Sequence, residues 1–282
     1  MLSALTRSIS PRMEDCELTF LSRDCIDVVK AEEQHRNYVR SLARLGLRVL
    51  HAPPTPELPD SVFVEDTAVV VDEVAVVPTM GAARRRPEVQ SVAAVLEQYR
   101  PLKFITLPGT LEGGDVVRVG RTLYVGQSTR TNAEGIRQLR ELLRPYDYEV
   151  ASVGVHGCLH LSTGCSYLGR GTVLLNPDWI DASAFRHLDI IRVPAAEPWA
   201  ANTLAQGGVV LLPSSFPETR ALLEEREFEV YTTDISEFMK AEAGLTCMSL
   251  LFTDHQAHLR DGGDGHQGVR ELTASGVIAP VV

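Results

Sequence analysis

One pattern recurs along this chain and constrains its fold more than any other. A segment with helical spacing leads into a short apolar strand, a polar loop follows, and then comes an apolar stretch broken by a turn. Ala31, His35, Tyr38, Leu42 and Leu45 step by four and three along one helical face. Gly46 reads as the stop of that helix, and Arg48-Val49-Leu50 starts a strand. Residues 62–71 and Ala75-Val76-Val77 read as two strands around Asp72-Glu73. The second copy runs through Val89, Val92, Ala93 and Leu96, then 103–107, then 113–126 with a hairpin turn at Gly120-Arg121. In the third, Asn132 caps a helix carrying Ile136, Leu139, Leu142 and Leu143. Strands at 148–153, 166–168 and 172–175 follow, the last two around a Gly-Arg-Gly turn. The fourth runs from an Asp181 cap through 190–193 to 208–212, and the fifth from Leu222, Leu223 and Phe228 through Val230-Tyr231-Thr232 to 248–252.

Equivalent points of the five copies fall at Phe63, Gly113, His160, Asn202 and Cys247, spaced by 50, 47, 42 and 45 residues. A period in this range marks a propeller or repeat array, and closure around an axis removes sheet edges that an open array leaves unpaired. The expected fold is therefore α/β, a five-bladed α/β propeller of five pseudo-repeated ββαβ-type units around a central axis. A doubly wound open sheet shows the same alternation of helix and strand. No GxGxxG or GxxxxGK[ST] follows a strand, however, which removes support for the phosphate-cradling folds.

The 282 residues divide into an expected single catalytic domain over 1–253 and a tail over 254–282 that departs from the repeats. The tail holds a flexible turn at 261–265 with His255, His258 and His266 near it. With 27 Lys and Arg against 37 Asp and Glu, the net charge is −10. An acidic surface argues against nucleic acid and anionic membranes as partners and suits a cationic small molecule. Cys16, Cys25, Cys158, Cys165 and Cys247 form neither a CxxC pair nor an even set, so neither a disulfide framework nor a structural zinc site is expected. A reducing cytoplasm fits them. The first twelve residues lack the apolar core of a secretory signal, and no apolar run approaches the roughly 20 residues of a membrane span.

The run 59–70 reads as a buried strand, yet Asp60, Glu65 and Asp66 lie in it. Burying even neutral polar groups without partners costs on the order of 2–7 kcal/mol, so such a cluster calls for a cation. In an unbroken strand Asp60 and Asp66 share one face and Glu65 points to the other, so both members of the Glu65-Asp66 pair reach one cation only if the strand ends or bulges nearby. Three further polar groups stand where the repeat predicts core: Glu112 before Gly113-Gly114, His160 between Leu159 and Leu161, and Cys247 beside Met248. Taken singly, each also suits a core or turn position. Closure around an axis brings them together, and a Cys, a His and a carboxylate in one place are the parts of nucleophilic catalysis. Zinc is the competing use of these residue types, but no two of them sit at the short spacing common in zinc sites.

Several motifs occur in a specific order: Cys16-Glu17-Leu18-Thr19, the run 59–66, Arg84-Arg85-Arg86-Pro87-Glu88, Leu111-Glu112-Gly113-Gly114-Asp115, the run 126–132, His160-Leu161 and Leu245-Thr246-Cys247. Over about residues 14–252 this set resembles the dimethylarginine dimethylaminohydrolases of the guanidine-modifying pentein-fold superfamily. The resemblance implies that Cys247 is the nucleophile, His160 the proton donor and Glu112 its partner. It implies that Asp66 and Glu65 bind a substrate guanidinium, that Phe63 lines the pocket, and that Leu18, Asp60, Arg85, Arg130 and the backbone at Ala241 meet the amino-acid end. Arg85 is chosen from 84–86 by its distance from Asp66 and from Pro87-Glu88. The implied activity is hydrolysis of Nω-methylated arginine to citrulline with no metal or organic cofactor. The partner is then a small-molecule substrate, and a homodimer is compatible with the sequence. Arginine deiminase, an amidinotransferase and a non-catalytic arginine-type binder are the alternatives. Arginine deiminases are usually longer, and binding alone needs no Cys247, His160 and Glu112 together.

Overall fold

The computed structural model describes residues 1–255. Strand β1 (Leu2–Thr6) leads through a long loop to α1 (Val28–Arg44) and β2 (Arg48–His51), which pairs parallel to β1. Helix α1 forms where the sequence places it. Asp27 accepts a hydrogen bond from the Lys30 N–H at its start, Ala31, His35, Tyr38 and Leu42 are buried along one face, and Gly46 at φ +80° turns the chain out of it.

Four units of one design follow. Each makes an antiparallel hairpin, crosses over through a helical segment, and returns a third strand parallel to the second. They are β3 (Val69–Val70), β4 (Ala75–Val77), α2 (Val89–Leu96) and β5 (Leu102–Phe104); then β6 (Val116–Val119), β7 (Thr122–Gln127), α3 (Ala133–Leu143) and β8 (Glu149–Gly154). Next come α4 (Leu161–Gly164), β9 (Cys165–Gly169), β10 (Thr172–Leu175), a 3-10 turn at Ala182–Phe185 and β11 (Asp189–Arg192). The last unit is β12 (Leu204–Gln206), β13 (Val209–Pro213), α5 (Pro217–Glu225) and β14 (Glu229–Thr233), followed by α6 (Ser236–Met239). Finally β15 (Leu250–Thr253) lies antiparallel to β1.

The first sheet is thus built from both ends of the described chain, in the order β15-β1-β2. This pairing closes the ring. It is clamped by two bonds between Met1 and Asp254, from each backbone nitrogen to the other's carbonyl, at 2.9 and 2.7 Å. The ββαβ expectation holds in the four internal units and, by this shared sheet, in the fifth. The core lies between neighbouring blades as separate apolar clusters, for example Val76, Leu111, Leu123 and Leu139 between the second and third sheets. The inner strands β3, β6, β9, β12 and β15 surround a central cavity of about 480 Å³. No helix among the described residues is long and apolar enough to cross a membrane.

One element differs from expectation. The run 59–70 is not a strand throughout: Val64–Thr67 is a 3-10 turn, and only Val69–Val70 is strand. The Thr67 hydroxyl donates to the Val64 carbonyl at 2.7 Å and holds the turn. The parity conflict between Glu65 and Asp66 thereby disappears, because neither sits on a pleated strand. Of the tail over 254–282, residues 256–282, and with them His258 and His266, lie outside the described residues.

The closing strand gives a test. Phe252 on β15 is buried and packs edge-on against Tyr99 with ring centres 5.0 Å apart. Phe252→Ala is expected to lower the unfolding free energy by about 3–5 kcal/mol, read from the urea midpoint at unchanged slope.

Candidate active site

Each inner strand is entered through a short helical turn: Val64–Thr67, Gly113–Asp115, α4, Pro198–Ala201 and Thr246–Met248. At or beside these turns stand Glu65 and Asp66, Glu112, His160, Asn202 and Cys247. The fivefold repeat therefore delivers one set of polar groups per blade to one end of the central axis. Two glycines make the approach feasible. A Cβ on residue 113 would lie 2.0 Å from the Glu65 carbonyl oxygen, and one on residue 114 would lie 2.6 Å from Asp66 Oδ1 and 2.7 Å from His160 Nδ1.

His160 is buried between two carboxylates. Its Nε2 is 2.8 Å from Glu112 Oε2, and its Nδ1 is 3.7 Å from Asp66 Oδ1. Burial alone would lower the imidazole pKa, but Asp66 and the Glu112 hydrogen bond overcome it and push it up to about 9. For Glu112 burial would raise the pKa. The bond and charge of His160, with Arg85 and Arg130 nearby, bring it down to about 2. Both shifts favour a protonated imidazole that donates to an ionised carboxylate. Glu112 Oε1 also accepts the Ala82 N–H at 3.0 Å.

Asp66 is shared three ways. Oδ1 accepts the Gly114 N–H at 3.1 Å as well as facing His160, and Oδ2 accepts from Arg85 Nη1 at 2.7 Å. Glu65 turns aside from it. Its Oε2 accepts the Thr246 hydroxyl at 2.8 Å and the Ser162 hydroxyl at 3.3 Å, and the residue lines the central cavity. Burial, then the Asp66 charge, lift its pKa to about 7. Asp66, Glu112 and His160 each offer a ligand atom within 4.8 Å of the others. An imidazole held protonated by its carboxylates is a poor ligand, however, because metals bind the neutral ring.

Cys247 is buried, and its Sγ accepts the Gly244 N–H at 3.4 Å. Burial first, then the charges of Glu65 and Asp66, push the thiol well above its ordinary pKa. Phe63, Ala241 and Cys247 share one apolar cluster, with Leu18 packed against it. The Ala241 N–H is spent on the Phe238 carbonyl at 2.9 Å, which leaves the Ala241 carbonyl for a ligand.

The arginines divide the expected work unequally. Arg84 is exposed and 3.6 Å from Glu17, and Arg86 donates to the Met80 carbonyl. Arg85 is the buried one, with Asp66 and Glu88 as ion-pair partners and a further bond to the Phe63 carbonyl. Four of its five N–H groups are engaged in this way, which leaves one on Nη1. Arg130 donates through Nη2 to Thr19 Oγ1 at 3.0 Å, while its buried Nη1 is 3.6 Å from Glu112 Oε1 and makes no hydrogen bond. Asp60 is buried and accepts the Glu17 N–H at 3.0 Å.

Sequence reasoning left three supporting residues out. Asn202, noted only as a repeat point, donates through Nδ2 to the Ser162 carbonyl and Thr246 Oγ1 and accepts the Thr246 N–H at 3.0 Å, so it ties the Cys247 turn to α4. Asp115 is fully buried and accepts from the Leu161 N–H and the Ser128 hydroxyl, joining the loop before Arg130 to the residue after His160. Burial lifts its pKa to about 6. Glu242 stands beside the Cys247 turn and holds the loop that carries Leu18. An acidic or amide residue at a repeat point, or two to five places from one, was the available signal for each.

Comparison with known proteins identifies the family. Residues 21–191 match the family model described as N,N dimethylarginine dimethylhydrolase, eukaryotic. The N(G),N(G)-dimethylarginine dimethylaminohydrolase of Streptomyces coelicolor is 38% identical over 250 residues, covering 88% of this chain and 95% of that protein. The protein of the same name from Pseudomonas aeruginosa is 36% identical over 228 residues, covering 80% and 90%. A solved structure of the Pseudomonas aeruginosa enzyme, a Cys-to-Ser mutant complexed with citrulline, superposes with a TM-score of 0.86 at 33% identity and covers 89% of this chain and all of that one. A family model matching more than half of the chain, and relatives this close along nearly their whole length on the same five-sheet ring, make the chain a member of the dimethylarginine dimethylaminohydrolase family.

Proposed function

We propose that this protein hydrolyses Nω-methylated arginine, asymmetric dimethylarginine or monomethylarginine, to citrulline and dimethylamine or methylamine. The observation that carries this reading is His160, 2.8 Å from Glu112 and 3.7 Å from Asp66, at the entry to one inner strand as Cys247 is at another. The relatives' shared name and the citrulline held by the Pseudomonas aeruginosa structure support it.

A substrate guanidinium is planar, cationic and weakly electrophilic. Asp66 supplies charge-assisted hydrogen bonds that fix its plane, with Glu65 adding negative charge from the cavity side. Phe63 and Leu18 line the aliphatic stem. At the amino-acid end, Arg130 offers its unbonded Nη1 and Arg85 its remaining N–H to the α-carboxylate, while Asp60 and the Ala241 carbonyl face the α-ammonium.

Burial and two carboxylates oppose the thiolate and hold the thiol pKa well above its ordinary value. A bound guanidinium places a positive charge against those carboxylates and reverses the balance, so the substrate lowers the pKa of its own nucleophile. The thiol gives its proton up to solvent, and the Cys247 thiolate then attacks the guanidinium carbon to give a tetrahedral adduct. The carbon–nitrogen bond to the methylated amine breaks, and the His160 proton goes to the departing nitrogen. An S-alkylthiouronium remains on Cys247. His160, now neutral, takes a proton from water as it attacks the same carbon, the carbon–sulfur bond breaks, and citrulline leaves. Within this reading residues 1–253 act as one catalytic domain, and the free cysteines suit a cytoplasmic setting.

A citrulline assay with arginine, monomethylarginine and asymmetric dimethylarginine tests the activity. Turnover of the methylated substrates is expected; turnover of arginine alone would assign a deiminase. Cys247→Ser is expected to lower kcat by at least about 10³-fold and His160→Gln by about 10²–10⁴-fold, and full turnover in Cys247→Ser would overturn the mechanism. Iodoacetamide labelling of Cys247 in the empty enzyme should stay slow through pH 9, with the midpoint moving down when a non-reacting guanidinium ligand binds. An unmoved midpoint would reject the substrate-assisted step.

A further inference from the structure

The loop that carries Leu18 and Thr19 has no regular secondary structure, and its tip is not fixed by burial. Phe20 and Leu21 expose 42% and 37% of their surface. What holds it is a carboxylate from the other end of the sequence. Glu242 is 4% exposed and accepts three successive backbone N–H groups: Thr19 at 3.0 Å, and Phe20 and Leu21 at 2.5 Å each. Successive amides aimed at one carboxylate form a compact anion-holding turn, and bonds of this charged kind are the strong ones.

Two further observations give this contact meaning. Glu242 has φ +58°, a left-handed conformation that glycine adopts freely and a glutamate does not. Glycine would be unstrained there, and what the glutamate adds is a carboxylate that accepts three backbone amides. Second, the loop is wired to the groups that the proposed function assigns to the substrate's amino-acid end. The Glu17 N–H donates to Asp60, and Thr19 Oγ1 accepts from Arg130 Nη2. The chain of contacts runs from Glu242 through the Thr19 amide and hydroxyl to Arg130, whose other terminal nitrogen is the one without a hydrogen bond.

We infer that Glu242 is a positioning residue: it fixes the 17–21 loop so that Thr19 aims Arg130 at the substrate carboxylate and Leu18 covers the stem. This rests on the functional reading above and adds to it a specificity element for free α-amino acids. Glu242 touches neither the reacting carbon nor the leaving nitrogen, so its loss weakens recognition of the carboxylate and spares the chemistry.

Two variants test this. Glu242→Gly removes the carboxylate and suits φ +58°, so loss of fold does not confuse the result. Glu242→Gln keeps an acceptor oxygen. In Glu242→Gly the KM for monomethylarginine is expected to rise at least about tenfold with kcat changed less than about threefold, and Glu242→Gln to recover most of the loss. Inactivation by a small haloacetamidine, which carries the amidine but no carboxylate, should change by less than about twofold. Hydrogen exchange at the amides of 19–21 should turn from slow to fast in Glu242→Gly. An unchanged KM would overturn the inference, as would KM and haloacetamidine reactivity shifting by the same factor, which would mean that the nucleophile's turn is disturbed instead. If the unmodified enzyme turns over no methylated arginine, the functional reading fails, and the exchange measurement still decides whether Glu242 holds the loop.

Discussion

The site depends on how one carboxylate is shared. Asp66 is 2% exposed, and an ionised carboxylate at that depth costs several kcal/mol unless it is paired and hydrogen-bonded. It has Arg85 on one oxygen and the Gly114 N–H on the other, and only a glycine at 114 lets that amide approach. So anchored, Asp66 faces His160 and helps Glu112 keep the ring protonated. Arg85 is in turn neutralised by Glu88, which makes the cluster a closed structural unit as well as a recognition surface. The cation that the acidic run calls for is therefore twofold: Arg85 of the protein itself and, in the proposed function, the guanidinium of the substrate.

The resting charges are arranged for the leaving group before they are arranged for the nucleophile. The imidazole is raised toward 9 and stands ready to donate, while the thiol is held neutral by burial and by Glu65 and Asp66. A cationic ligand is the element that changes the second without undoing the first. In the proposed function such a site discriminates by charge at the moment of reaction, since a neutral molecule would not draw the thiol toward thiolate.

Much of this was legible in the sequence because the repeat and the site are one fact seen twice. The points at Phe63, Gly113, His160, Asn202 and Cys247 recur because each marks the entry to an inner strand, and five inner strands around an axis must bring their entries together. Helix α1 declared itself through its apolar face of helical period and the stop at Gly46, and α3 through its cap at Asn132 and its own apolar face. The 3-10 turn at Val64–Thr67 did not, because a four-residue turn inside an apolar run has no period of its own to show. The parity conflict between Glu65 and Asp66 was its one trace. Asn202, Asp115 and Glu242 stayed hidden for another reason: each acts on backbone N–H or carbonyl groups far away in sequence, and only folding supplies those partners.

The central claim is that Cys247 carries the substrate's guanidinium carbon after the methylated amine has left. Rapid quenching of the enzyme during turnover, followed by mass spectrometry of the peptide containing Cys247, tests it most directly. A transient adduct on Cys247 is expected whose mass is the same from monomethylarginine and from asymmetric dimethylarginine, because the methyl groups depart before the carbon–sulfur bond breaks. An adduct that retains the methyl groups, or turnover with Cys247 unmodified throughout, would contradict it.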